Sequence, residues 1–328
     1  MRSVSWVPSL HRRFQGGSAV ASATRAGSIV ATMRGMAIKR IYCAVDFSPG
    51  STQGLLTAVR LAREREAELV VLHAWVLPAN TFASDFVYPS SVVQHLAEDA
   101  QQGLDAARSQ AMQLGATRVS SHLVQGTPWQ QIVDAAKADP ACGLVVIGSE
   151  GRTGLGRVLL GSVAEMVVRH APCPVLTVRG DGESRPFSHV LCPVDFSPWS
   201  RAAIDLATEL ALPNRAAITL LHVLEPSVAW GEVRPFDVYA DVSSDATKNL
   251  QSWGRELAAK VTVPVHQKMR VGRAGAQLLA ALDDDPTVDL VVMGSHGRSG
   301  VTRLALGSVA EKTVRHAHCP VAVTHLRG

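Results

Sequence analysis

Two stretches of this sequence are near copies of each other, and each has an unusual glycine pattern. Gly148-Ser149-Glu150-Gly151 follows the apolar run Leu144-Val145-Val146-Ile147, is succeeded by nine residues from Arg152 to Leu160, and continues as Gly161-Ser162-Val163-Ala164-Glu165. The arrangement returns as Leu290-Val291-Val292-Met293, Gly294-Ser295-His296-Gly297, nine residues, and Gly307-Ser308-Val309-Ala310-Glu311. Between Gly148–Val175 and Gly294–Val321, nineteen of twenty-eight positions are identical, so the chain is an internal duplication. A buried strand that ends in a glycine loop and opens into a helix is suited to holding a phosphate. Glycines let the backbone approach the anion, and the first-turn N–H groups attract it with the positive end of the helix dipole.

The elements around these loops alternate. In the first half, Arg40–Val45 reads as a strand, and Leu55, Ala58, Val59 and Ala62 place one apolar stripe on the helix that follows. Glu68–Trp75 is a continuous apolar run, as expected of a strand covered on both faces. A loop over Pro78–Ser91 then precedes a helix over about 92–114, and Val119–Val124 reads as a third strand. Thr127, as N-cap, with Pro128 predicts another helix, running to about Ala138. The strand before the glycine loop, a helix to about His170 and a last strand over Cys173–Val178 complete the half.

After a linker over Arg179–Ser188 the pattern restarts at Val190–Pro198, with Val263–Lys268 in the place of the third strand. The loop after the second strand, Glu225–Ala246, reads as longer than its counterpart and carries Trp230, Phe236 and Tyr239. The fold class is therefore α/β, with parallel strands, helices on both faces and right-handed crossovers, twice over. We divide the chain into a basic leader (1–36), a first domain (37–180) and a second (187–328).

Charge narrows the function. Residues 1–40 carry seven positive side chains and precede the first acidic residue, Asp46. Removing those seven charges from the net +4 leaves −3 for the rest, which argues against a basic nucleic-acid-binding face. The leader is rich in Ser, Ala and Gly and lacks the continuous apolar core of a secretory signal; it reads as unstructured, as a targeting segment or as a mis-set start ahead of Met33 and Met36. No run approaches the roughly 18 apolar residues of a membrane span. Five cysteines, an odd number without a C-x-x-C pair, fit reduced thiols in the cytosol. His170 with Cys173, and His316 with Cys319, have a spacing compatible with zinc but lack a four-ligand pattern. His73 and His222, inside apolar strands, read as core or pocket-lining groups. The P-loop and Rossmann glycine signatures and the nucleophile elbow are absent, which argues against a dedicated NTPase, dehydrogenase or serine hydrolase.

Each half resembles a universal stress protein domain of the nucleotide-binding branch, whose signature is Gly, two residues, Gly, nine residues, Gly-Ser or Gly-Thr. The resemblance extends to the Asp-Phe-Ser at 46–48 and 195–197 and to the closing Arg-His-Ala-x-Cys-Pro-Val, and covers roughly residues 37–328. It implies a five-stranded parallel sheet in order 3-2-1-4-5, ATP at its carboxyl edge, a cytoplasmic stress-response role with little or no turnover, and two domains packed as an intramolecular pseudo-dimer that leaves room for a homodimer. It places nucleotide contacts at Ala44, Asp46, Ala74, Ile147, Gly148, Gly151, Arg152, Gly161, Ser162 and Val163. The second set is Pro193, Asp195, Val223, Met293, Gly294, Gly297, Arg298, Gly307, Ser308 and Val309.

Physical reasoning points to the same crevice. In such a sheet the ligand sits where the strand order reverses, between strands 1 and 4, which end at Asp46 and Gly148 or at Asp195 and Gly294. Arg152 and Arg298 could neutralise phosphate charge, and the Ser162 and Ser308 hydroxyls are expected as donors or N-caps. The capping alternative for Asp46 and Asp195 is that each merely shapes the start of the next helix. Where the second loop has His296 the first has Glu150, whose carboxylate repels phosphate unless Mg²⁺ lies between them. On that ground the second half is expected to be the working copy. The last strands, Val175–Val178 and Val321–Thr324, are candidate pairing edges.

Overall fold

A computed structural model describes residues 38–77, 88–149, 160–179, 184–225, 235–297 and 306–326, with the main chain alone at 235–242. The leader expected over 1–36 lies outside them, as do most of the first loop (78–87) and residues 226–234 of the second.

Strand β1 (Arg40–Ala44) leads to α1 (Pro49–Arg65), β2 (Glu68–Trp75), α2 (Ser90–Gln113), β3 (Val119–Gln125), α3 (Pro128–Ala138), β4 (Cys142–Gly148), α4 (Ser162–His170) and β5 (Val175–Val178). The second half repeats the series. It runs β6 (His189–Pro193), α5 (Pro198–Ala211), β7 (Ala217–Leu224), α6 (Pro235–Ala258), β8 (Val265–Val271), α7 (Ala274–Asp283), β9 (Leu290–Gly294), α8 (Ser308–His316) and β10 (Val321–Thr324).

The strands form one ten-stranded sheet in the order β3-β2-β1-β4-β5-β10-β9-β6-β7-β8. Each half therefore has the expected order 3-2-1-4-5, with parallel pairing throughout. The halves meet where β10 pairs antiparallel with β5, Val321 opposite Thr177 and Val323 opposite Val175. Thr177 Oγ1 adds a hydrogen bond to the Val321 carbonyl at 3.1 Å. Both candidate edges are thus consumed within the chain.

Strand residues alternate between two faces. Tyr42, Ala44, Val145 and Ile147 share one apolar cluster with Ile132 of α3, Ala164 and Val167 of α4, and Val291, Leu278 and Val314 of the second half. The core on this face is continuous across the β5–β10 junction, which fits the continuous apolar runs of the strands. On the surface above it, Arg315 of α8 reaches Glu165 of α4 at 2.9 Å.

Local details correct three readings. Ser48 and Ser197 cap α1 and α5 by accepting from the Ser51 and Ser200 N–H groups, with proline next in each helix. Thr127 stands at the N-cap of α3 but makes no side-chain capping bond there. Gly161 and Gly307, not Ser162 and Ser308, are the N-caps of α4 and α8, because the chain is still extended at the glycines and helical from the serines onward. The second long loop is also overturned: α6 begins at Pro235 and absorbs Phe236 and Tyr239, so that connection is the shorter of the two.

Candidate functional site

Strand β1 ends at Ala44; the N–H of the next residue, Val45, donates to the Leu72 carbonyl, and the chain turns over Asp46-Phe47-Ser48 into α1. Asp46 Oδ1 accepts from the Ser48 N–H at 3.1 Å and the Ser48 hydroxyl at 2.6 Å. Asp195 repeats this with the Ser197 N–H at 3.0 Å and the Ser200 hydroxyl at 2.6 Å. Each carboxylate therefore holds its turn, as the capping alternative requires. Asp46 also lies on the wall of a cavity.

The intervening phenylalanines are forced into a conformation that side chains rarely adopt, φ 64° at Phe47 and 65° at Phe196. Both rings stack on a histidine of the next strand, Phe47 on His73 at 4.3 Å and Phe196 on His222 at 4.5 Å between centroids. The histidines are buried, and each donates from Nδ1 to the carbonyl of Val45 or Val194 at 2.7 Å. Repetition of so costly a turn in both halves marks it as a built feature.

The opening glycines of the signature also pack closely against a neighbouring helix. A Cβ on Gly148 would stand 2.6 Å from the carbonyl carbon and oxygen of Gly50, in the first turn of α1. A Cβ on Gly294 would stand 2.6 Å from that of Trp199, in the first turn of α5. Both glycines seat the helix that follows strand 1 against strand 4.

Between these elements in the first half lies a cavity of about 530 Å³. Its wall brings together Ala44, Asp46, Ala74, Ile147, Gly148, Gly161, Ser162 and Val163 from the expected set. The N–H of Gly161 donates to the Ser149 carbonyl at 2.8 Å, which fixes the start of α4 over the end of β4. Hydrogen bonding inside α4 starts when the Glu165 N–H reaches Gly161, so the N–H groups of residues 162–164 form the unpaired end of the helix, and all three residues line the cavity. A donor cluster at a helix N-terminus facing a concave, largely apolar space can hold an anionic group attached to a flat hydrophobic one.

Gly151, Arg152, Glu150 and Arg298 lie outside the described residues. In the second half Pro193, Val223, Met293, Gly307, Ser308 and Val309 occupy the places of their counterparts along the same elements. There a Cβ on Gly297 would stand 2.7 Å from Asp195 Oδ2, so the loop after β9 crosses close to that carboxylate. His296 bonds Ser295 Oγ through Nδ1 at 3.0 Å, with its ring 5.7 Å from Trp199. The sequence reading missed Phe47, Asp99 and Ile132 as cavity residues. The doubled Asp-Phe-Ser was a signal for Phe47; nothing in the pattern singles out Asp99 on α2. Among the described residues there is no group of three or more His, Cys, Asp or Glu that could hold a metal ion, and no helix is long and apolar enough to cross a membrane.

The profile of the universal stress protein family matches the chain twice, over residues 37–179 and 186–325. This chain belongs to the universal stress protein family. A universal stress protein of Mycolicibacterium smegmatis is 28% identical over 298 residues, covering 88% of this chain and 97% of that one. One of Mycobacterium bovis is 27% identical over 313 residues, covering 87% and 95%. The match to both halves of this chain therefore spans nearly the whole length of each relative. Among solved structures, a universal stress protein from Archaeoglobus fulgidus superposes with a TM-score of 0.68 over 89% of this chain and 99% of its own, at 23% identity, which shows the shared fold.

Proposed function

We propose that this universal stress protein binds ATP and acts through its nucleotide-dependent conformation as a stress-response or signalling module, with little or no turnover. The cavity at the ends of β1 and β4 carries the reading. It joins an apolar floor, the Asp46 carboxylate and the N-terminus of α4 within one space of about 530 Å³. The floor would take the adenine, Asp46 would accept from the adenosine portion, and the α4 N–H groups would receive phosphate, with Mg²⁺ available to bridge a polyphosphate to Glu150. The two halves would work as an intramolecular pseudo-dimer in the cytoplasm, joined through β5 and β10, with further association into a homodimer as part of the same proposal.

The test is equilibrium dialysis of the full chain against labelled ATP with Mg²⁺, counting sites per chain, alongside Gly161→Asp and Gly307→Asp variants. Aspartate is a favourable N-cap, so each variant keeps its helix while placing a negative charge where phosphate would sit. Each variant should weaken its own site by at least about tenfold, the equivalent of about 1.4 kcal/mol. Absence of binding at millimolar ATP would defeat the proposal. Rapid release of ADP by the wild type would replace it with a hydrolase.

A further inference from the structure

Cys142 and Cys173 lie with their sulfurs 3.3 Å apart. Cys142 opens β4 and Cys173 precedes β5, neighbouring parallel strands with Val145 opposite Val175. The Val145 N–H donates to the Pro174 carbonyl at 2.9 Å beside them, so the two backbones are held together at the spacing of adjacent strands. The register sets Cys142 one residue from the position opposite Cys173, and the two sulfurs meet across that diagonal. Both side chains are buried, at 4% and 3% exposure, and both are free thiols.

The second half supplies a control. Cys319 stands where Cys173 does, but Val288 stands where Cys142 does, buried at 2%. The fold accepts an aliphatic side chain at that position, so packing does not demand a second thiol in the first half. We propose that Cys142 and Cys173 are an oxidation site, closing to a disulfide that staples the segment between them, which contains the whole glycine signature from Gly148 to Gly161 and helix α4.

The hydrogen bond with Cys173, then burial and nearby Asp139, push the Cys142 thiol far above its ordinary range. The raised pKa slows attack on any oxidant and burial excludes bulky ones, so the oxidant is hydrogen peroxide, small and neutral. One thiolate sulfur attacks a peroxide oxygen, the O–O bond breaks, and a sulfenic acid forms with release of water once the leaving hydroxide is protonated. The second sulfur displaces the sulfenic oxygen as a further water and the S–S bond forms. Two S–H groups are oxidised and one peroxide is reduced to two waters. The site is independent of what the cavity binds.

The full chain would be incubated with hydrogen peroxide, alkylated in denaturant and digested without reduction for mass spectrometry. The expected result is a Cys142–Cys173 peptide pair lacking two hydrogens, with the alkylatable thiols falling from the five free cysteines to three. A Cys142→Val variant, which copies the second half, should keep its remaining four thiols under the same exposure. Oxidised wild type should also unfold at higher urea than reduced wild type, and the variant should show no such difference. Recovery of both cysteines alkylated, or Cys173 carried to sulfinic acid equally in wild type and variant, would overturn the proposal.

Discussion

Arg179 and His325 stand at the same position of the two halves, one residue beyond β5 and β10, and each crosses the junction into the other half. Arg179 donates from Nη2 to the Arg315 carbonyl at 2.9 Å, in the last turn of α8, where a permanent cation suits the negative end of the helix. His325 lies against the backbone at Val168 and Cys173 of the first half, and burial pushes its pKa down to about 4, with His296 adding to the effect. One fold position thus carries a fixed charge in one direction and a ring held neutral in the other. Duplication preserved the geometry of the junction and let its electrostatics diverge.

The largest way to sharpen this contrast is pH. The unfolded chain takes up a proton on His325 near pH 6.5, while the folded chain resists until about pH 4. Between those values the unfolded state binds more protons, so stability falls as pH falls through that window and levels off below it; above pH 6.5 the ring is neutral in both states. Urea unfolding from pH 7.5 to 4 should show His325→Gln losing about 3 kcal/mol less than wild type. An Arg179→Gln variant should follow the wild-type pH slope. If both variants behave alike, the contrast fails.

The glycine seats come next. Gly148→Ala and Gly294→Ala should each cost about 2 kcal/mol in denaturant unfolding, because the new methyl meets the main chain of Gly50 or the Cβ of Trp199, neither of which can rotate away. A neutral result in one half alone would show that its first helix is free to shift, and would break the equivalence of the two seats.

The smallest effect concerns the surface of the junction. Glu165 is held at 2.9 Å by both Arg169 and Arg315, whereas its counterpart Glu311 pairs with Arg315 along its own helix at 3.1 Å. These groups are a quarter to a third exposed, so Glu165→Gln should cost about 1 kcal/mol and Glu311→Gln a few tenths. Equal losses in thermal unfolding would mean that the contact across the halves adds nothing.

Much of this architecture was legible in the residues. Continuous apolar runs such as Leu69–Leu72 announced strands covered on both faces, and the glycine spacing located the end of β4 and the start of α4. The packing role of Gly148 was not, because a glycine that admits a neighbouring helix leaves the same letter in the sequence as one that admits an anion. Asp46 did not reveal that it also ties Ser48, nor Thr127 that its hydroxyl makes no capping bond to α3, since both depend on side-chain torsions. The reach of His325 into the first half, and the meeting of Cys142 with Cys173, arise from strand order, which local pattern does not contain. The Glu225–Ala246 stretch misled because it read as one long loop where α6 had already begun at Pro235.

The antiparallel seam between β5 and β10 joins two parts of one covalent chain, and this changes what substitution can do there. In a ring of identical subunits every mutation is written twice across a two-fold axis, so neither Arg opposite His nor a dithiol on one side alone can arise. Here each molecule carries one copy of each face in fixed proportion. No mixture of unlike partners forms at any dilution, and the two sides are free to acquire separate duties.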